Sequence, residues 1–168
     1  MHIRAVRAGE LTALQAIERA AGQPFADIGM AEIAQDEPYS LPVLTASEQV
    51  GLLWAAADET DEPVAYLMAS VVDDCLHIDQ VSVHPCHSHR RLGLGLLEHA
   101  ARRAAADGLA ALTLTTFTSV PWNAPYYLRC GFRVLDDAEL TPGLRAIRQH
   151  EAELGLDKWP RVCMRRDL

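Results

Sequence analysis

Arg90, Arg91, Gly93 and Gly95 stand close together in CLHIDQVSVHPCHSHRRLGLGLL, the stretch from Cys75 to Leu97. Cys75 to Val83 reads as a strand, and Pro85 ends it. From Gly93 to Asp107 the apolar residues recur at helical spacing, with Leu97, Ala100, Ala101, Ala104 and Ala105 on one face and Gly108 closing the helix. A strand thus runs through a loop into a helix whose first turn holds both glycines. The first turn of a helix has amide N–H groups without intrahelical partners and a partial positive charge. Glycines there let a phosphate come close to the backbone. The two arginines just ahead add cationic donors. The pattern is a phosphate cradle.

The cradle is neither of two common kinds. No G-x-x-x-x-G-K-[ST] run occurs, which excludes a P-loop. A dinucleotide fingerprint needs a third glycine where Glu98 stands, and needs its glycines directly after the strand. What remains is R-x-x-G-x-G, Arg90 to Gly95, with Leu92 and Leu94 between. His84, Cys86, His87 and His89 are potential metal ligands, but all lie in the one loop that leads to the cradle. Zinc sites usually draw on two separated segments, so no metal is expected.

The elements around this stretch define a mixed α/β chain. His2 to Val6 is a short strand, and Leu11 to Ala21 a helix with Leu11, Leu14, Ile17 and Ala21 on one face. Ala26 to Gln35 is a second, shorter helix. Glu37 to Glu48 carries Pro38 and Pro42 and reads as loop. Val50 to Ala57 and Pro63 to Val72 form a hairpin, whose acidic turn Asp58 to Glu62 reads as a solvated tip. Ala110 to Phe117 is a strand, Asn123 to Arg129 a short helix closed by Gly131, and Phe132 to Leu135 a strand. Leu144 to Leu154 has helical character, and Arg161 to Arg166 is a last strand. The expected fold is a single domain over 1–168, with a mixed sheet of about six to seven strands flanked by helices. The three hairpin strands should be antiparallel, and the strand–helix–strand unit should make its flanking strands parallel.

Composition sets the outer limits. The chain has 168 residues and a net charge of −8, from 15 Lys+Arg against 23 Asp+Glu. The acidic balance argues against a general nucleic-acid binder. No apolar run approaches the roughly 18–20 residues of a membrane span, and the N-terminus lacks a signal peptide's apolar stretch. The cysteines Cys75, Cys86, Cys130 and Cys163 form no C-x-x-C pair and read as reduced thiols. A cytoplasmic location is expected, and a homodimer is compatible with all of this.

The segment from Leu76 to Leu97 resembles motif A of the GNAT superfamily, the CoA-dependent N-acetyltransferases. The matching features are the triplet Val81-Ser82-Val83, the turn Val83-His84-Pro85, and Arg90 to Gly95 opening a helix. Downstream, VPWNAPYYLRCGF, from Val120 to Phe132, resembles motif B, with Tyr127 four residues before Gly131-Phe132. From Leu76 to Phe132 the two motifs span roughly a third of the chain, in the order and separation of the family.

The resemblance implies roles. Backbone groups of Val81, Ser82 and Val83 would pair with the pantetheine arm of acetyl-CoA as though it were another strand. The backbone from Arg90 to Gly95, through Arg91, Leu92, Gly93 and Leu94, would hold the pyrophosphate. Asn123 is the candidate for a further CoA contact; it is equally suited to N-cap its helix. Tyr127 would protonate the departing thiolate, with Tyr126 one position away as the alternative register. Strand alternation puts His77 and Asp79 on the face of Val81 and Val83. In relatives an acid two residues before the triplet acts as base, which matches Asp79. Two histidines occupy this region in arylalkylamine acetyltransferases, and His77 lies there. A histidine needs little tuning to work near neutral pH, whereas an aspartate needs its pKa raised or a water relay.

The expected acceptor is a primary amine on a small molecule, cationic before it loses its proton. Net charge, Asp79 and the acids Asp27, Glu32, Asp36 and Glu37 all favour a cation. A protein N-terminus or lysine stays open as acceptor. So does a sensor that binds acyl-CoA without turnover. Thr141 to Trp159 is longer than a tight hairpin needs, and covering the acceptor site is one use for it.

Overall fold

The computed structural model describes all 168 residues. Seven strands form a sheet in the order β1-β2-β3-β4-β5-β7-β6. They are β1 (His2–Ala5), β2 (Leu53–Ala57), β3 (Pro63–Val72), β4 (Cys75–Val83), β5 (Ala111–Phe117), β6 (Arg133–Val134) and β7 (Arg161–Asp167). The helices are α1 (Leu11–Gly22), α2 (Ala31–Ala34), α3 (Leu41–Gln49), α4 (Leu92–Ala106), α5 (Ala124–Arg129) and α6 (Pro142–Glu153). The chain divides into two compact units, residues 1–69 with 80–99, and residues 70–79 with 100–168.

In the first unit β2 pairs antiparallel with β3, as the hairpin reading requires, and β1 pairs antiparallel with β2. Leu11, Leu14 and Ile17 of α1 pack with Leu44, Leu53, Tyr66 and Met68 in one buried cluster. The segment read as loop at 37–48 is partly helical, because Pro42 falls in the first turn of α3, where no backbone N–H is needed. The helix expected over 26–35 divides into a 3-10 turn at Gln23–Ile28 and the one-turn α2, with left-handed Gly29 between them.

The acidic tip of the β2–β3 hairpin is not merely solvated. Asp61 accepts hydrogen bonds from Arg4 at 2.7 Å and Arg7 at 2.5 Å, and Arg4 also forks onto Glu10. Hydrogen bonds from Arg4, then Arg7, pull the Asp61 pKa down to about 2. An unfolded aspartate titrates near ~3.9, so this stabilisation is complete above that pH and lost as pH falls toward the folded value. Asp61→Asn is therefore expected to lower the melting temperature at neutral pH and to flatten its decline in acid. An unchanged acid profile would show that the clamp contributes nothing.

In the second unit β4 and β5 are parallel, paired from Cys75↔Ala111 to His77↔Thr113. Antiparallel β7 then runs the length of β5, and the two-residue β6 pairs with β7. The segment before β7 contains a full helix. Thr141 caps α6 by accepting from the Leu144 amide. The Gly143 amide donates to Asp73 at 3.1 Å, and a Cβ at Gly143 would lie 2.5 Å from Val72, so the close approach requires glycine. Near its other end, Glu151 takes the Thr115 hydroxyl, both arms of Arg161 (3.0 and 3.2 Å) and Arg148 at 2.5 Å. Removing one partner from such a buried ion cluster costs about 3–5 kcal/mol. The helix is thereby fixed to β5 and β7.

Candidate active site

The strand, loop and helix start that would carry the cradle form where the sequence places them, with α4 beginning at Leu92. Leu96, Leu97, Ala100, Ala101 and Ala104 are the buried face of α4; Ala105 is exposed, so the apolar stripe begins and ends one residue earlier than expected. Just ahead of the helix His89 and Arg91 have left-handed backbones, φ 61° and 59°. Non-glycine residues adopt that conformation at a cost, and successive amides in such turns point into a shared, anion-accepting concavity. The Gly95 amide is committed to Arg91 O at 3.0 Å within the helix. A Cβ on Gly95 would meet Ile3 Cδ1 at 3.3 Å, so this glycine serves packing. The amides left for an anion are those of Leu92, Gly93 and Leu94. Arg90 and Arg91 are exposed and form no ion pair.

β4 leads into this turn with an open edge. Its ladder with β5 ends at His77↔Thr113, yet the strand continues to Val83. The edge toward β3 stays engaged to the end, where the His84 amide donates to Val64 O at 2.9 Å. On the other edge the backbone of Val81, Ser82 and Val83 has no strand partner. Ser82 is buried, and its hydroxyl accepts from the Gln80 amide at 2.9 Å. In the loop, His84 Nδ1 accepts from the Cys86 amide.

The two candidate bases on β4 differ sharply. His77 is 3% exposed, and its Nδ1 is hydrogen-bonded to the Thr113 hydroxyl at 2.9 Å. Desolvation pushes its pKa down to about 4, against a smaller opposing pull from Glu151. The ring is therefore neutral at physiological pH and titrates well below it. Asp79 is half-buried and accepts from Ser70 Oγ at 3.1 Å. Burial raises its pKa to about 6, against the lowering effect of that hydrogen bond. A carboxylate so tuned is mostly ionised at pH 7 yet basic enough to take a proton.

Motif B folds as α5. Gly131, with φ 88°, closes it, and the Phe132 amide returns to Tyr127 O at 3.1 Å. Tyr127 packs edge-on against Phe132, their ring centroids 5.7 Å apart. Desolvation and the Cys130 thiol push its pKa up to about 12, so it carries its proton throughout any working range. The neighbouring Tyr126 hydroxyl is hydrogen-bonded to Cys130, whereas that of Tyr127 has no partner. Asn123 stands at the N-cap position, but its side chain makes no capping bond, contrary to that reading. Its Oδ1 is buried and unpaired, which costs about 1–3 kcal/mol until a donor arrives.

Two polar groups were not singled out from sequence. One is Ser70. The other is Glu18 of α1, whose Oε2 accepts from the Tyr66 hydroxyl at 2.5 Å and the Tyr39 amide at 3.3 Å. Burial raises the Glu18 pKa. Asp27, Glu32, Asp36 and Glu37 are all exposed, and Glu37 pairs with Arg19 at 3.4 Å.

Residues 13–132 match the family model of the acetyltransferase (GNAT) family, and the chain belongs to that family. It is an acyltransferase with the family's fold. The chain is similar to the PaiA N-acetyltransferase of Thermoplasma acidophilum in complex with coenzyme A. The identity is 16% and the TM-score 0.72, over 99% of this chain and 98% of that one. It is also similar to the ribosomal-protein-S18-alanine N-acetyltransferase of Escherichia coli. There the identity is 20% and the TM-score 0.66, over 99% and 92% of the two chains. For Chaetomium thermophilum Naa20, in complex with a bisubstrate analogue, the values are 15% and 0.69, over 100% and 87%. No helix of the chain is long and apolar enough to cross a membrane.

Proposed function

We propose that residues 1–168 work in the cytoplasm as one acetyltransferase domain, moving an acetyl group from acetyl-CoA to a primary amine of a small molecule. The observation that carries this reading is the open edge of β4 running into the free amides at the start of α4. An extended amide-bearing chain such as pantetheine supplies the partner that Val81, Ser82 and Val83 lack. Its pyrophosphate is held by the amides of Leu92, Gly93 and Leu94, with Arg90 and Arg91 as cationic donors. The unpaired Oδ1 of Asn123 suits an amide N–H of the same ligand.

The amine attacks the thioester carbonyl; a C–N bond forms and the C–S bond breaks. Asp79 receives the amine's proton, directly or through water. Tyr127 donates to the departing sulfur and is reprotonated from solvent. His77 stays neutral and does not carry the proton. The acidic groups of the N-terminal helices, Glu18 among them, favour a cationic acceptor over an anionic one.

The test is thiol release from acetyl-CoA against a panel of amines, amino acids and peptides, beside direct measurement of CoA affinity. Gly93→Val is expected to weaken CoA binding about tenfold or more, the scale of losing hydrogen bonds to a charged group. Undiminished affinity in the folded variant removes the cradle assignment. Peptides outperforming every small amine would make the acceptor a protein. Binding without thiol release for any acceptor would leave a sensor of acyl-CoA.

A further inference from the structure

The β4 carboxyl is held from the neighbouring strand. Ser70 lies near the end of β3 and its hydroxyl donates to Asp79 Oδ1 at 3.1 Å. This is the only hydrogen bond the Asp79 side chain makes. The hydroxyl is half-buried, like the carboxyl it serves. A half-buried carboxyl with one donor has its rotamer fixed by that donor. The second carboxyl oxygen is left free to receive a proton. Other polar groups nearby do not compete. His77, two residues earlier on the same face of β4, is turned to Thr113. Glu151 of α6 acts on His77 and is countered by Arg161 and Arg148. No charged group perturbs Asp79; desolvation and the Ser70 bond are its only influences.

We propose that Ser70 is the positioning residue of the catalytic carboxyl: its hydroxyl pins one oxygen of Asp79, aims the other at the acceptor nitrogen, and sets the pH above which the enzyme works. The proposal rests on Asp79 being the base. A hydroxyl donating to a carboxylate stabilises the ionised form, so losing it moves the titration upward.

The experiment has a readout that needs no acceptor. The Asp79 carboxyl carbon is followed by NMR titration in the isotope-labelled free protein, in the native chain, Ser70→Ala and Ser70→Thr. The native midpoint should fall near 6. Ser70→Ala should raise it by about one unit, the scale of a hydrogen bond to a charged group. Ser70→Thr keeps a hydroxyl and should restore it. With an acceptor in hand, the ascending limb of kcat/KM should move with these midpoints. An unmoved midpoint in Ser70→Ala overturns the proposal, whatever happens to the rate. If the limb stays put in Ser70→Ala but vanishes in Asp79→Asn, Ser70 is dismissed and Asp79 remains the base. If the limb also survives in Asp79→Asn, the base assignment fails and Ser70 has no carboxyl to serve.

Discussion

Tyr127→Phe is expected to lower turnover by roughly 10²–10⁴ while leaving acetyl-CoA affinity nearly unchanged. The hydroxyl matters only as negative charge gathers on sulfur, so the loss should fall on kcat. A phenol held near 12 stays protonated throughout the working range, but is a weaker acid than an ordinary thiol at ~8.5. Proton transfer to sulfur is therefore late and uphill, and before it the hydroxyl contributes most as a hydrogen bond that strengthens in the transition state. Ring packing against Phe132 survives the substitution, so the fold should too. Tyr126→Phe is the control, because that hydroxyl is occupied by Cys130. A loss in Tyr126→Phe with none in Tyr127→Phe would shift the acid by one position. No loss in either would mean that solvent protonates the sulfur.

The second large effect belongs to Asp79. In the native enzyme kcat/KM should rise with pH through a limb near 6, where the half-buried carboxyl ionises. The sign follows from the role: a base works deprotonated, so activity is lost below the midpoint and kept above it. Asp79→Asn should remove the limb and lower kcat/KM by roughly 10²–10⁴. His77 makes a contrasting prediction, since its burial would place a limb near 4. A limb there that vanishes in His77→Gln would transfer the role to the histidine. No limb in the native enzyme would mean that the amine arrives already deprotonated.

Residue spacing made much of this legible. The apolar periods of α1 and α4, the turn glycines Gly108 and Gly131, and the hairpin of β2 and β3 are local signals, and local signals survive in sequence. The helix start after β4 was legible because free amides there are a consequence of backbone geometry alone. Pro42 misled because proline marks both loops and first helical turns, and only the chain after it decides between them. What stayed hidden depends on partners distant in sequence. Asp61 looks solvated until Arg4 is brought back across the sheet. His77 looks like a ready base until burial beside Thr113 removes its charge. Ser70 is an unremarkable strand serine until β4 returns beside it, nine residues on. Asn123 has the residue type of a cap, yet its orphaned oxygen is visible only in three dimensions.

The ladder that stops at His77 leaves a sheet unfinished in its middle, and if the acyl donor is the piece that completes it, as proposed, the enzyme's persistence is tied to its supply. A molecule that completes the missing edge binds only the native chain, so it stabilises folding by RT ln(1 + [L]/Kd), about 2.7 kcal/mol at a hundredfold excess over Kd. Against a typical margin of about 5–15 kcal/mol, that is a sizeable share. The folded fraction then tracks the acyl-donor pool. A cell short of donor would hold more of this protein in forms that proteases recognise, and a mutation tolerated in plenty would be exposed in scarcity.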